Sequence, residues 1–245
     1  MEATHNQTSS FENYPFLTAE EFAEACHHLD RRYCQATLGP VRRQWKLRAN
    51  TALLMAFTPL AEYSTYVQII RPLDGELDDE GLSAQLDKLS FDAPGIGEPT
   101  STVDADEHMV DEENDTSALR KPPVKQEPFG YVTYEIHLHP TYRAPCLWFK
   151  LNGLGPDELA FDIDTVFRRL VPDQYKDALR NNGPMGGISI DHHPITGVPS
   201  FFVHPCLLGE AMSNFNCTKE NYLMVWLGLV GGCVGLWVPK EMALS

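Results

Sequence analysis

The sequence is short of positive charge. Its 245 residues include 19 Lys and Arg against 34 Asp and Glu, a formal net charge of −15. Such a chain repels a polyanion, so nucleic acid is not an expected ligand. Paired cysteines are missing too. Cys26, Cys34, Cys146, Cys206, Cys217 and Cys233 contain no C-x-x-C spacing, and thiols scattered in this way stay free in a reducing compartment. Residues 1–10 are polar, with no basic stretch leading into an apolar run, so no secretory leader is read and a cytoplasmic location is expected. Long apolar runs are lacking as well. The nearest candidate, 222–238, carries Gly228, Gly231, Gly232 and Gly235 and stops at Pro239. It falls short of the about 20 mostly apolar residues of a membrane span and reads instead as a core helix followed by a strand. No internal repeat is found.

What is present fits one globular domain spanning 1–245 with an excursion inside it, since 43% of the residues are hydrophobic and 22% charged. Thr18 with Glu21 three residues on forms a capping box, and Leu17 can staple against Phe22, so a helix is expected over 18–35. Its stripe of Phe22, Ala25, Cys26, Leu29 and Tyr33 faces the core, and Cys26 and Cys34 read as packing residues. Between 45 and 70, β-branched and aromatic residues predict two paired strands. Segment 74–128 is different. It combines many acids with Gly95, Gly97 and five prolines, and so reads as an acidic, disordered insertion, with Leu82, Leu86 and Leu89 at the spacing of one short helix.

Tyr131-Val-Thr-Tyr-Glu-Ile-His-Leu-His139 alternates as a half-buried strand, and 146–151 is its antiparallel neighbour after a turn at 140–145. The fold class is therefore α+β, a four-stranded antiparallel sheet packed with helices. Asp162 or Asp164 can cap a helix that Pro172 interrupts and 175–179 resumes. Glycines and prolines from 183 to 199 predict irregular chain, and 222–230 the last helix.

The sharpest local feature is Asp191-His-His-Pro-Ile-Thr-Gly-Val-Pro-Ser-Phe-Phe-Val-His-Pro-Cys206, where an apolar extended run delivers His204, Pro205 and Cys206 into irregular chain. Pro205 restricts the backbone that presents the thiol. If that backbone stays extended, His204 and Cys206 project to the same side. A thiol suits acyl transfer, because a thioester holds an acyl chain at high transfer potential and an amine can displace it. A neighbouring imidazole can favour the thiolate or donate to the oxyanion.

Together with Tyr134-Glu-Ile-His-Leu-His-Pro-Thr-Tyr-Arg-Ala-Pro145 and Asn221-Tyr-Leu-Met-Val-Trp-Leu-Gly-Leu-Val-Gly-Gly-Cys-Val-Gly235, this segment resembles the autophagy-related protein ten family of ubiquitin-like-conjugating enzymes. The resemblance implies a fold like that of ubiquitin-conjugating enzymes, with Cys206 as the thioester nucleophile. It implies that autophagy-related protein seven, the activating enzyme, loads Cys206 with the modifier autophagy-related protein twelve, which moves to a lysine of autophagy-related protein five. No cofactor of its own is implied, because ATP is used by the activating enzyme. Peripheral association with autophagosome-forming membranes is an allied expectation. Ordinary ubiquitin-conjugating enzymes carry a His-Pro-Asn motif whose asparagine serves the oxyanion. Here His193-Pro-Ile has isoleucine instead, and the resemblance points to Tyr142 and His204 for that assistance.

Three other readings use the same residues. A cysteine hydrolase would take Cys206 as nucleophile, His192 or His193 as base and Asp191 as orienter, but three neighbours cannot easily converge on one thiol. A zinc site from His192, His193, His204 and Cys206 lacks the usual paired spacings. A non-catalytic adaptor would use the apolar C-terminus and acidic insertion to hold partners. His27, His28, His137 and His139 read as surface or sheet-covering residues without a chemical role.

Overall fold

The computed structural model describes residues 11–54, 62–73, 130–181 and 187–244. The insertion expected at 74–128, with its short helix, lies outside them. Helix α1 (Ala19–Gln35) begins as its sequence dictates. Thr18 accepts from the Glu21 amide at 3.2 Å, and the Glu21 carboxylate accepts the Thr18 amide at 2.9 Å, so two otherwise orphaned donors are satisfied reciprocally. The stripe from Phe22 to Tyr33 is buried, whereas Cys34, read as a packing residue, is exposed. It sits in the last turn, one position past Tyr33 and off the buried stripe.

After a short helix α2 (Val41–Gln44), β1 (Lys46–Leu54), β2 (Glu62–Pro72), β3 (Tyr131–His139) and β4 (Ala144–Asn152) pair consecutively and antiparallel. This is the expected meander. The sheet nevertheless has six strands rather than four, in the order β1-β2-β3-β4-β6-β5, because β5 (Ile188–His192) and β6 (Pro199–Val203) form a hairpin whose second strand docks on β4. Pro199 stands at the first position of β6, where a missing amide costs no ladder bond.

Helices α3 (Ile163–Arg169) and α4 (Asp173–Asn181) follow β4, and Asp162 caps α3 through the Asp164 and Thr165 amides. Beyond β6 come α5 (Leu208–Ser213), α6 (Tyr222–Val230) and α7 (Lys240–Ala243). No strand follows α6 among the described residues. Gly231–Val234 continues as a 3-10 turn, in which a Cβ on Gly231 would run into the Leu236 carbonyl, so close backbone packing requires glycine there. No helix among the described residues is long and apolar enough to cross a membrane.

The alternation of β3 sorts the two faces of the sheet. Val132, Tyr134 and Ile136 are fully buried against Phe22 and Leu29 of α1 and Trp226 of α6. Truncating a buried aromatic such as Trp226 to alanine removes on the order of 3–5 kcal/mol. Tyr134 sends its hydroxyl into this core, donating to the Val234 carbonyl at 2.8 Å and accepting from Arg71 Nε at 3.3 Å. On the opposite face Cys146, Trp148 and Phe202 make a smaller cluster, with the Trp148 and Phe202 rings stacked at 4.8 Å.

Candidate functional site

Strand β6 ends at Val203, and the chain does not stay extended through Cys206. His204 is the last extended residue, and Pro205–Leu207 forms a 3-10 turn that runs into α5. Proline is suited to that first helical position, where its missing amide would have lacked a partner. The Cys206 amide donates to His204 Nδ1 at 3.2 Å, so the imidazole caps the turn that carries the thiol. This fixes the tautomer of the neutral ring. With Nδ1 accepting, the proton lies on Nε2, which makes the other ring nitrogen a donor.

Tyr142 approaches from the β3–β4 turn. His139 Nδ1 accepts from the Thr141 and Tyr142 amides at 3.2 and 3.3 Å, and Arg143 closes the turn with a left-handed φ of 48°. Burial and the nearby His204 hold the His139 pKa below its ordinary value. The rings of His139 and Tyr142 lie 4.8 Å apart, and those of Tyr142 and His204 5.4 Å apart. Cys206, His204 and Tyr142 are thus brought together at one end of the sheet, with Tyr142 half-exposed and Cys206 reaching solvent.

A cleft of about 380 Å³ opens beside the thiol, lined by Phe16, Tyr142, Pro205, Cys206, Gly209 and Glu210 among others. Its far wall is Pro15 and Phe16, from a segment in which sequence reasoning assigned a role to Leu17 alone, as a staple to Phe22. Tyr14 donates to the Met212 carbonyl at 2.6 Å, Tyr222 donates to the Pro15 carbonyl at 2.6 Å, and the Leu17 amide donates to the Arg143 carbonyl at 2.8 Å. Those anchors lie far along the chain, and no local pattern signals them.

The other cysteines are placed differently. Cys26 and Cys146 are fully buried, and burial pushes their thiols up, which disfavours the thiolate. Cys217 is buried. Burial raises the Cys233 pKa to about 11, and its thiol donates to the Val230 carbonyl at 3.0 Å. Cys34 is exposed on α1 and does not line this cleft.

On the face of the sheet that carries Trp148 and Phe202, a second polar constellation was missed. Glu135 and His137 share a side of β3, and His193 comes from the β5–β6 turn. Glu135 Oε2 accepts from His137 Nε2 at 2.8 Å and His193 Nε2 at 2.9 Å, while Oε1 accepts from Gln68 at 2.9 Å. Burial pushes the Glu135 pKa up, but the hydrogen bonds and charge of the two imidazoles outweigh it and hold the carboxyl well below the usual range. Burial lowers the His137 pKa, and its Nδ1 has no partner among the described residues. The side-chain spacing on β3 was a readable signal. The arrival of His193 was not.

These three residues are the one group among the described residues whose ligand atoms converge as a metal would require, within 4.8 Å of one another. The tautomer argues for a hydrogen-bonded clamp instead. His193 Nδ1 accepts the Ile195 and Thr196 amides, both at 3.3 Å, which leaves the ring proton on Nε2, the atom a metal would need bare. The zinc set His192, His193, His204 and Cys206 is not assembled among the described residues. The hydrolase arrangement also fails on His193, whose two nitrogens are both engaged, while His192 is exposed beside Asp191.

A meander backed by a capped N-terminal helix, with a thiol in the turn beyond the sheet, is compatible with a protein-conjugating enzyme of the ubiquitin-like kind, and the comparisons with known proteins identify that class. The sequence profile of the autophagocytosis associated protein, active-site domain, matches residues 21–241, and the chain belongs to that family. It is 61% identical over 238 residues to the ubiquitin-like-conjugating enzyme ATG10 of Gibberella zeae, covering 96% of this chain and all of that protein. The human protein of the same name is 32% identical over 120 residues, 46% of this chain and 53% of its own length. The Arabidopsis thaliana protein is 30% identical over 129 residues, 49% and 56%. The chain is a conjugating enzyme of autophagy, which implies an activating enzyme and a modifier as partners.

Proposed function

We propose that Cys206 accepts the C-terminus of the modifier from the activating enzyme as a thioester and passes it to a lysine of an acceptor protein, with autophagy-related proteins seven, twelve and five as activating enzyme, modifier and acceptor. One observation carries the assignment. Cys206 is the cysteine that both lines a cleft and sits in a turn shaped by its neighbours, whereas Cys26, Cys146 and Cys217 are buried in packed structure. Thioester transfer needs a thiol that two successive partners can reach.

His204 and Tyr142 are proposed to donate to the oxyanion that forms as the carbonyl is attacked. The tautomer of His204 supports this role over that of a base, because the nitrogen that could take a proton already accepts the Cys206 amide. Tyr142, beside it, carries a hydroxyl of the same polarity. These two donors would replace the asparagine that His193-Pro-Ile lacks, and His193 itself holds the β5–β6 turn through Glu135. The test is incubation with activating enzyme, ATP and modifier, followed by a non-reducing gel. Wild type gives a thiol-sensitive adduct, Cys206→Ser a thiol-resistant one and Cys206→Ala none. A normal thioester on Cys206→Ala would overturn the assignment.

A further inference from the structure

We propose that the cleft beside Cys206 receives the side chain of the acceptor lysine, with Glu210 as the group that meets its ammonium. This rests on the thioester reading of Cys206. The cleft matches the two parts of a lysine side chain separately. Phe16, Tyr142 and Pro205 supply an apolar wall on which a four-carbon stem can lie. Gly209 lets that wall close in, since a Cβ there would stand 3.1 Å from the Phe16 ring. Glu210 supplies the one charged side chain of the lining, and its carboxylate meets no hydrogen-bond or ion-pair partner among the described residues, only its carbonyl being used by Ser213 and Asn214. Glu210 follows Cys206 by four positions across the 3-10 turn and into α5, and both side chains border the same cleft.

The transfer balances without any further reactant. The lysine ammonium loses one proton to solvent, its nitrogen bonds to the thioester carbonyl carbon, and the carbon–sulfur bond breaks. The Cys206 thiolate leaves and is reprotonated as the attacking nitrogen gives up a second proton to become the amide. A carboxylate beside the ammonium favours the charged amine, which does not hasten deprotonation. Its effect is therefore on binding, and the loss on removing it falls in KM rather than kcat.

Wild type and variants are loaded on Cys206, freed of activating enzyme, and discharged either to free lysine or to hydroxylamine, an amine that is uncharged near neutral pH. Glu210→Gln is expected to lower the ratio of the lysine rate to the hydroxylamine rate by about fivefold, the upper end for an exposed ion pair. Glu210→Asp keeps the charge and restores most of the ratio. Added salt lowers the wild-type ratio and not that of Glu210→Gln. A normal adduct with the wild-type ratio in Glu210→Gln overturns this inference alone. Absence of any adduct on wild-type Cys206 overturns both readings.

Discussion

Replacing Glu135 with glutamine tests whether the carboxylate clamp on the outer face of the sheet holds the hairpin that leads to Cys206. Glu135 receives three donors, His137 Nε2, His193 Nε2 and Gln68 Nε2, all at 2.8 to 2.9 Å. Glutamine preserves the shape. Its oxygen can keep both imidazole donors while its amide group faces Gln68, whose own amide turns over to accept. What disappears is the charge on the acceptor. Hydrogen bonds to an ionised group are roughly twice as strong as neutral ones, a net difference of about 1 kcal/mol each, so Glu135→Gln should lose about 2 kcal/mol for the two imidazole bonds. In a domain of this size that lowers Tm by about 4–8 °C. Glu135→Leu also strands two buried N–H donors and should lose about 4 kcal/mol. Thermal melts near neutral pH give both numbers. If Glu135→Gln melts with wild type, the clamp is an idle contact, and the hairpin is held by its ladder to β4 alone.

Stability should decline as pH falls below about 6.5. Burial keeps His137 below its ordinary value of 6.5, so in that range the unfolded chain binds a proton that the folded chain refuses, and denaturant midpoints should drop. Glu135 acts in the same direction at lower pH. Its contribution is full above the ordinary 4.5 and is lost only as pH falls through the depressed folded value, so Glu135→Gln should flatten the strongly acid limb. Tyr142→Phe and His204→Ala should load but discharge slowly in single turnover, by about 10² for each lost donor, and wild-type rates in folded variants would remove both from the mechanism. His204→Ala also loses its cap on the Cys206 turn, about 1 kcal/mol by melting. Replacing 74–128 by a short glycine-containing loop should leave loading intact. The flanking residues already meet, with Leu73 donating to the Gly130 carbonyl at 2.9 Å and Pro72 opposite Tyr131. Unfolding of that variant would show that the segment belongs to the core.

Where structure follows from neighbours in the chain, the sequence was readable. The capping box of Thr18 and Glu21, the period-two alternation of β3 and the apolar run of α6 each carry their own signal, and each element begins where that signal does. Strand β5 carries only a short alternation, Ile188-Ser189-Ile190-Asp191. No residue of it is buried, its two apolar residues are partly exposed or exposed, and it is a strand because β6 pairs with it. The condition for His204 and Cys206 to share one side, a backbone extended through Cys206, is not met, because the fixed φ of Pro205 starts a helical turn as readily as it prolongs a strand. The motif around His204 and Cys206 was visible as a motif. The cleft was not, because its wall is Phe16, brought there by hydrogen bonds to residues about two hundred positions away. Likewise Glu135 and His137 could be placed on one face of β3, but their meeting with His193 depends on how β6 docks on β4.

The most direct test of the account is to map the attachment site. The loaded protein is isolated without reductant at mildly acid pH, digested, and the peptide carrying the modifier's C-terminal remnant is identified by mass spectrometry. The account predicts a thiol-labile remnant on the peptide containing Cys206 and on no other cysteine. A remnant on Cys34 or Cys233 with Cys206 unmodified, or a remnant that survives thiol because it sits on a lysine of this chain, would contradict it.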